Sequence, residues 1–292
     1  VRELNRNLDF RKAVTMAVDR KKLGEALVKG PFTAIYPGGL SSGTSFYDRN
    51  STIYYPHDLE GAKVLLEKVG LKDTDGNGFV NFPAGKLGGR DVEIVLLVNS
   101  DYSTDRNLAE GMVGQMEKLG LRVVLNALDG KQRDAANYAG RFDWMIHRNT
   151  AEFASVVQNT PQLAPTGPRT SWHHRAPEGG EVDVMPHEQE LVDIVNKFIA
   201  SNDNDERTEL MKQYQKVATT NVDTVGLTEY PGALIINKRF SNIPPGAPIF
   251  MFNWAEDTII RERVFVAADK QGDYELYPEQ LPGKPGESGP IN

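Results

Sequence analysis

The sequence predicts an α/β fold, a mostly parallel open sheet flanked by helices. Three features of its 292 residues carry that reading. Val92 to Arg148 reads as strand–helix–strand–helix–strand with its turn residues in place. Amphipathic helices with clear stop signals lie on both sides of that unit. The apolar content, 39%, supplies ample material for a large core in one or two domains.

The amino-terminal elements are helical. Val1-Arg-Glu-Leu-Asn-Arg-Asn-Leu8 runs into a helix with no initiating Met, as expected of a piece of a longer chain. Asp9 is read as the cap of a helix carrying Phe10, Ala13, Val14, Ala17 and Val18, and Leu23 to Val28 continues the pattern. Pro31 to Asn50, rich in Gly, Ser, Thr and Pro, is read as a long surface loop. Asp58 opens a helix with Leu59, Ala62, Leu65, Leu66 and Val69 inward, and Gly70 ends it.

In the central unit, Val92–Val98 is a short apolar run, too brief for a stable helix. Asn99–Asp105 offers turn residues and N-caps for a helix facing inward through Leu108, Met112, Met116 and Leu119, and Gly120 stops it. Leu121–Leu125 is the second strand, about Gly130–Ala139 a polar helix, and Asp143–His147 the third strand. Open parallel sheets bind small ligands beyond their strand carboxyl ends. Asn99–Tyr102 and His147–Glu152 are therefore the first places to look for a site, and Arg148 and Asn149 fall in the second. Thr150 to Met185 is irregular, encloses Trp172-His-His-Arg175, and has the length of a functional loop. Helices follow from Pro186 to about Ala200 and, capped within Asn202–Asp205, to about Thr220. Ala233–Ile236, Ile249–Asn253 and Arg263–Ala267 read as short strands, and the tail from Pro278 as frayed.

Several chemistries are set aside. The net charge of −7 with no basic run argues against nucleic acid and anionic membrane surfaces. No apolar stretch reaches membrane-spanning length, so no direct membrane insertion of this segment is expected. The absence of cysteine removes disulfides, thiol catalysis and thiolate metal sites. Asp73-Thr-Asp-Gly-Asn-Gly78 matches the first half of a calcium loop, but the twelfth position, a bidentate Glu in such loops, is Ala84. Gly39-Leu-Ser-Ser-Gly43 has nucleophile-elbow spacing without the strand before and helix after that an elbow needs. His187-Glu188 begins like a zinc-protease helix, but Leu191 stands where the second His must be. His173 and His174 sit beside Arg175, which disfavours a bound cation. No phosphate loop or dinucleotide fingerprint occurs, and neither metal nor cofactor is expected. The balance favours a binder over an enzyme.

Five segments carry a family resemblance. Asn7 to Leu23 resembles the D-x-R-x-R-x-A-x-x-x-A-(I/V)-D-R stretch of family 5 extracellular solute-binding proteins, with the first Arg of its pair replaced in Leu8-Asp-Phe-Arg11. Asp58–Leu71 resembles the A-(K/R)-x-L-L-x-x-A-G block, and Asp73–Gly78 the D-x-D-G-(D/N)-G turn. Gly120–Val123 and Phe142-Asp143 resemble two later landmarks, in order and at agreeing spacing across about Asn7 to Tyr230.

The resemblance implies the substrate-binding component of an ABC importer, periplasmic or extracellular and membrane-associated. Such a protein holds a small solute between two lobes and delivers it to a membrane permease. It implies a periplasmic-binding-protein-like lobe over residues 1–235. Residues 236–292 would be a tail returning to a first domain whose own motifs are absent from this chain. In peptide-binding members an Asp ten residues after the landmark Phe holds the ligand's α-ammonium; that position is Glu152 here. The family's Asn at the first strand end falls on Asn99 and its crossover aromatic on Tyr230. The expected ligand set is Asn99, Arg148, Asn149, Glu152, Trp172 and Tyr230. An oligopeptide is the favoured ligand. An oligosaccharide is the alternative, because Trp144, Trp172 and Trp254 could stack on sugar rings; an enzyme of unknown type and a purely structural domain rank below both.

Overall fold

The computed structural model describes residues 1–27, 33–85, 87–148, 163–166, 182–229, 236–243 and 259–270. The chain divides into two units, Val1–Pro231 and Gly232–Asn292. Among the described residues no helix is long and apolar enough to cross a membrane.

In the first unit, α1 (Arg2–Arg6) and α2 (Leu8–Ala17) are separated by Asn7. The Asn7 side-chain oxygen accepts from the amides of Asp9 at 2.9 Å and Phe10 at 3.2 Å. Asn7, rather than Asp9, is therefore the cap. Asp9 lies inside the first turn, where the helix dipole favours a carboxylate, and pairs with Lys68 at 2.7 Å. Asp19 starts α3 (Arg20–Leu27) by accepting from the Lys22 amide at 3.1 Å.

Arg20 is 3% exposed and has no carboxylate partner among its hydrogen bonds. Its Nε donates to the Gly226 carbonyl at 2.8 Å, Nη1 to the carbonyls of Thr15 at 3.1 Å and Tyr55 at 3.5 Å, and Nη2 to Thr15 Oγ1 at 2.5 Å. The end of α2 and two distant stretches of chain thus converge on one guanidinium.

The Pro31–Asn50 stretch is not wholly superficial. It contains β1 (Ala34–Ile35), and Leu40, Thr44 and Phe46 are buried. Its polar composition hid two apolar anchors. Helix α4 (Leu59–Lys68) is capped by Asp58 and closed by Gly70 at φ 89°, with Ala62 and Leu66 buried. The sheet unit follows: β2 (Glu93–Asn99), α5 (Ser103–Leu119), β3 (Arg122–Leu128), α6 (Gly130–Tyr138) and β4 (Trp144–Met145). The strands lie in the order β3-β2-β4 and are all parallel. Glu93 pairs with Arg122 and Asn99 with Leu128, while Leu96 pairs with Trp144. Gly120 takes φ 89° and ends α5, as its position in the sequence requires. The residue that starts α5, Tyr102, offers no side-chain cap.

Two helices complete the first unit, α7 (Pro186–Ala200) and α8 (Asn204–Thr220), with Pro186 in the first turn and Asp203 capping α8. The two-residue β5 (Thr228–Glu229) pairs antiparallel with β1. The described residues of this unit bury two separate apolar clusters. One packs α2, α4 and α5 on the sheet through Phe10, Val14, Leu66, Ile94, Met116 and Leu121. The other joins α7 and α8 to the loop anchors Leu40 and Phe46, with Phe46 edge-on to Phe198 at 5.3 Å. Tyr214 is buried in it, its hydroxyl donating to the Leu163 carbonyl at 2.8 Å, and that burial pushes its pKa well up.

In the second unit, β6 (Phe240–Ser241) pairs antiparallel with β7 (Phe265–Val266), and Asn242 Nδ2 donates to the Arg263 carbonyl at 2.9 Å. The strand expected at Arg263–Ala267 is thus shorter, because a 3-10 turn occupies Arg261–Arg263. Ile236 is irregular; 233–235 and 249–253 lie outside the described residues.

The Asp73–Gly78 turn is held by its own side chains. Asp73 accepts from the Gly76 and Gly78 amides at 2.7 and 2.9 Å, Asp75 from the Asn77 amide at 3.2 Å, and Asn77 from the Phe79 amide at 2.8 Å. Asp91 fastens the turn to the sheet, accepting from Asn77 at 3.1 Å, Asn81 at 2.8 Å and Arg122 at 2.7 Å. The Gly78 amide holds the Asp73 carboxyl below its usual range, and Asn77 and then Arg122 do the same for Asp91.

Three outcomes follow from this geometry. Arg20→Met leaves the Gly226 and Thr15 carbonyls buried without donors, so urea unfolding should show a loss of about 3 kcal/mol or more. A loss below about 0.5 kcal/mol would mean that water replaces the guanidinium. In the turn, both depressed carboxylates contribute fully above the usual value of 3.8, and the contribution is lost as pH falls through their folded values. The Gly76 and Gly78 amide resonances should therefore hold from neutral pH to about 4 and move only below it; a midpoint above 3.8 contradicts the bonding described. Millimolar calcium should shift Tm by less than about 1 °C, because the turn's oxygens already serve amides and no twelfth-position Glu follows. A rise of several degrees, reversed by chelator, would show a calcium site.

Candidate functional site

The carboxyl ends of the three parallel strands bring together residues far apart in sequence. β2 ends at Asn99, whose side-chain oxygen accepts from the Asp101 amide at 3.0 Å. Ser100 extends the ladder by donating to the Leu128 carbonyl at 2.8 Å, and Asp101 accepts from the Gly130 amide at 2.8 Å. That bond ties the turn to the first residue of α6. A Cβ on Gly130 would stand 3.1 Å from the Asp101 carboxylate, so the close approach favours glycine. Continuing the β2–β4 register sets Asn99 level with His147.

Arg148 follows His147, and its side chain is held on two sides. Its Nε donates to both oxygens of Asp105, at 2.9 and 3.2 Å. Its guanidinium carbon lies 4.0 Å from the centre of the Tyr102 ring. Asp105 is in the first turn of α5 and only 6% exposed, so the helix N-terminus and the arginine both stabilise its charge. Tyr102 is 43% exposed. The result is a stacked guanidinium whose Nη1 and Nη2 have no hydrogen-bond partner among the described residues. Asn99 is 8% exposed, and its Nδ2 likewise has none.

Of the residues expected from the sequence, Asn99 and Arg148 thus reach the same end of the sheet. Asn149, Glu152, Trp172 and Tyr230 lie outside the described residues, as does Trp254. Trp144 is a correction: its Nε1 donates to Asn5 at 2.9 Å, and its ring packs on the first core, 6.4 Å from Phe10. It is thus engaged with α1 and the core. Asp105 and Tyr102 are additions. The sequence offered Asp105 among helix-capping residues, while its pairing with Arg148 spans 43 positions that local pattern does not join.

The rejected motifs have structural explanations. Ser41 donates to Glu229 at 2.7 Å from a turn that lacks an elbow's strand and helix. His187, Glu188 and Asp223 bring ligand atoms within 4.8 Å of one another, with His187 Nε2 3.7 Å from Asp223. Arg11 already supplies a cation to that cluster. Burial pushes its pKa down, and Asp223 and Glu188 pull it back up.

A family model described as "Bacterial extracellular solute-binding proteins, family 5 Middle" matches residues 2–169. Among solved structures, the chain is 71% identical to the periplasmic binding protein MelB of Agrobacterium fabrum C58, solved in complex with stachyose, with a TM-score of 0.86. The match covers 99% of this chain and 43% of MelB, so the chain spans less than half of that relative's length. The oligopeptide-binding protein AppA of Bacillus subtilis, in complex with a nonapeptide, is 15% identical over 91% of this chain and 48% of its own, with a TM-score of 0.63. A periplasmic oligopeptide-binding protein of Thermotoga maritima, bound to mannohexaose, is 17% identical over 81% of this chain and 44% of its own, with a TM-score of 0.61. These last two share the fold: a mixed α/β periplasmic-binding-protein-like architecture with a parallel sheet between helices. By the extent of the matching model and the identity to MelB, this chain belongs to the bacterial extracellular solute-binding proteins of family 5.

Proposed function

We propose that this chain forms part of the substrate-binding subunit of an ABC importer, and that its ligand is a neutral oligosaccharide. The observation that carries the ligand class is the 71% identity, across 99% of the chain, to a protein solved with stachyose. That weight moves the reading from the oligopeptide favoured by sequence motifs to the oligosaccharide, its alternative. Capture rather than chemistry is the role, in keeping with the binding proteins among its relatives. The compartment is periplasmic or extracellular and the partner is a membrane permease.

Under this reading residues 1–235 form one lobe, and 236–292 return to another. The ligand sits between lobes that close by hinge motion, and Asn99, Arg148, Asn149, Glu152, Trp172 and Tyr230 line this side. Sugar hydroxyls suit such a cleft. They pair with planar amide and guanidinium donors and leave apolar ring faces for aromatic side chains.

Calorimetry on the full-length protein tests the ligand class. Stachyose should bind saturably and a linear nonapeptide should not; the reverse would restore the peptide reading. Glu152→Gln sharpens the test. With a neutral sugar the amide still accepts a hydrogen bond, and Kd should rise by less than about fivefold. With a peptide whose α-ammonium meets Glu152, the loss should be about 1.5–3 kcal/mol.

A further inference from the structure

We propose that the Arg148 guanidinium is a saccharide-contacting group, its Nη1 and Nη2 donating to neighbouring oxygens of one sugar unit, with Tyr102 and Asp105 as the residues that position it. The inference rests on the oligosaccharide reading above and assigns it a subsite.

The argument begins with what the fork lacks. Asp105 takes the Nε edge, at 2.9 and 3.2 Å, and Tyr102 covers one face at 4.0 Å. An arginine fully committed to structure would spend its outer nitrogens on protein acceptors, as Arg20 does on two carbonyls and a hydroxyl. Among the described residues Arg148 instead leaves that edge without a partner at the strand carboxyl ends, where open parallel sheets take ligands. Asn99 adds an independent sign. It is 8% exposed, and its Nδ2 is a further donor without a partner among the described residues, at the end of the neighbouring strand. That nitrogen is not fully buried, so a ligand acceptor can reach it.

Charge disfavours an anionic ligand. Asp105 cancels the arginine, and Asp101 in the same turn adds a second carboxylate, so the three side chains together carry a net negative charge. A carboxylate or phosphate ligand would be repelled by that pair of acids. Hydroxyl and ring oxygens of a neutral sugar accept from the fork without that penalty. Stacking and the Nε bond also fix the guanidinium plane before ligand arrives, which lowers the ordering cost of binding.

The test uses the full-length protein and stachyose. Arg148→Lys keeps the charge and removes the fork, and it should raise Kd by at least about tenfold with an unchanged unfolding midpoint. Tyr102→Leu should do the same through loss of the stack, while Tyr102→Phe, which keeps the ring, should stay within about twofold of wild type. A variant-free measurement runs beside these. Butanedione modifies paired outer nitrogens of arginine, and mass spectrometry should find Arg148 modified in the free protein and protected by stachyose. Wild-type affinity in Arg148→Lys, or a modification rate indifferent to saturating stachyose, overturns the subsite and leaves the oligosaccharide reading standing. A wild-type protein that binds no saccharide overturns that reading and the subsite with it.

Discussion

The first unit is organised around a positive charge that, among the described residues, is buried without a carboxylate partner. Arg20 is removed from water, and its charge is satisfied by carbonyls from three separate segments and one hydroxyl. Desolvation lowers its pKa, with the Tyr54 ring and hydroxyl opposing that shift. A lysine could not replace it, because only a planar group donates to acceptors in several fixed directions at once. The consequence is geometric. The last turn of α2, the Tyr55 segment and the Gly226 segment must meet at the start of α3, and the pairing of β1 with β5 is built beside it. Gly226 is part of the same junction, since a Cβ there would collide with the backbones of Tyr36 and Gly38.

That junction explains what the sequence could and could not disclose. The sheet was legible because its signals are local: apolar runs at Val92–Val98 and Leu121–Leu125, and a left-handed glycine at Gly120. The helices at Leu59 and Pro186 were legible for the same reason. Arg20 reads in isolation as a surface residue, and only the tertiary fold reveals it as an interior one. The cap at Asn7 escaped because Asp9, two residues on, has equally good chemistry. Leu40 and Phe46 escaped because their neighbours are turn formers, and burial there is imposed by α7 and α8 rather than by any periodicity of the loop.

The candidate site divides along the same line. Asn99 and Arg148 could be named from the rule that strand carboxyl ends of a parallel sheet face the ligand. The roles of Tyr102 and Asp105 could not, because stacking and pairing with Arg148 are set by how α5 leaves one strand and the chain leaves another. The absence of a capping side chain at Tyr102 now has a physical reading. An aromatic that stacks on a guanidinium stands where a Ser or Asp would otherwise serve the helix, and Asp105 supplies the carboxylate one turn in. Local helix stability has been given up for side-chain placement at a strand end.

The presence of two cores rather than one has a further consequence. Polar contacts flank the second core: Gln215 exchanges hydrogen bonds with Asp48 at 3.1 and 3.2 Å and Thr219 accepts from the Ile53 amide at 2.9 Å, while Arg11 of α2 donates across to the Asn221 carbonyl at 2.9 Å. Such bonds stop packing defects from spreading. A cavity opened beside Phe198 falls within the α7–α8 cluster, which among the described residues shares no buried apolar member with the cluster on the sheet. Packing changes within the helical pair are thus set apart from the strand ends, and the two clusters answer separately to substitution.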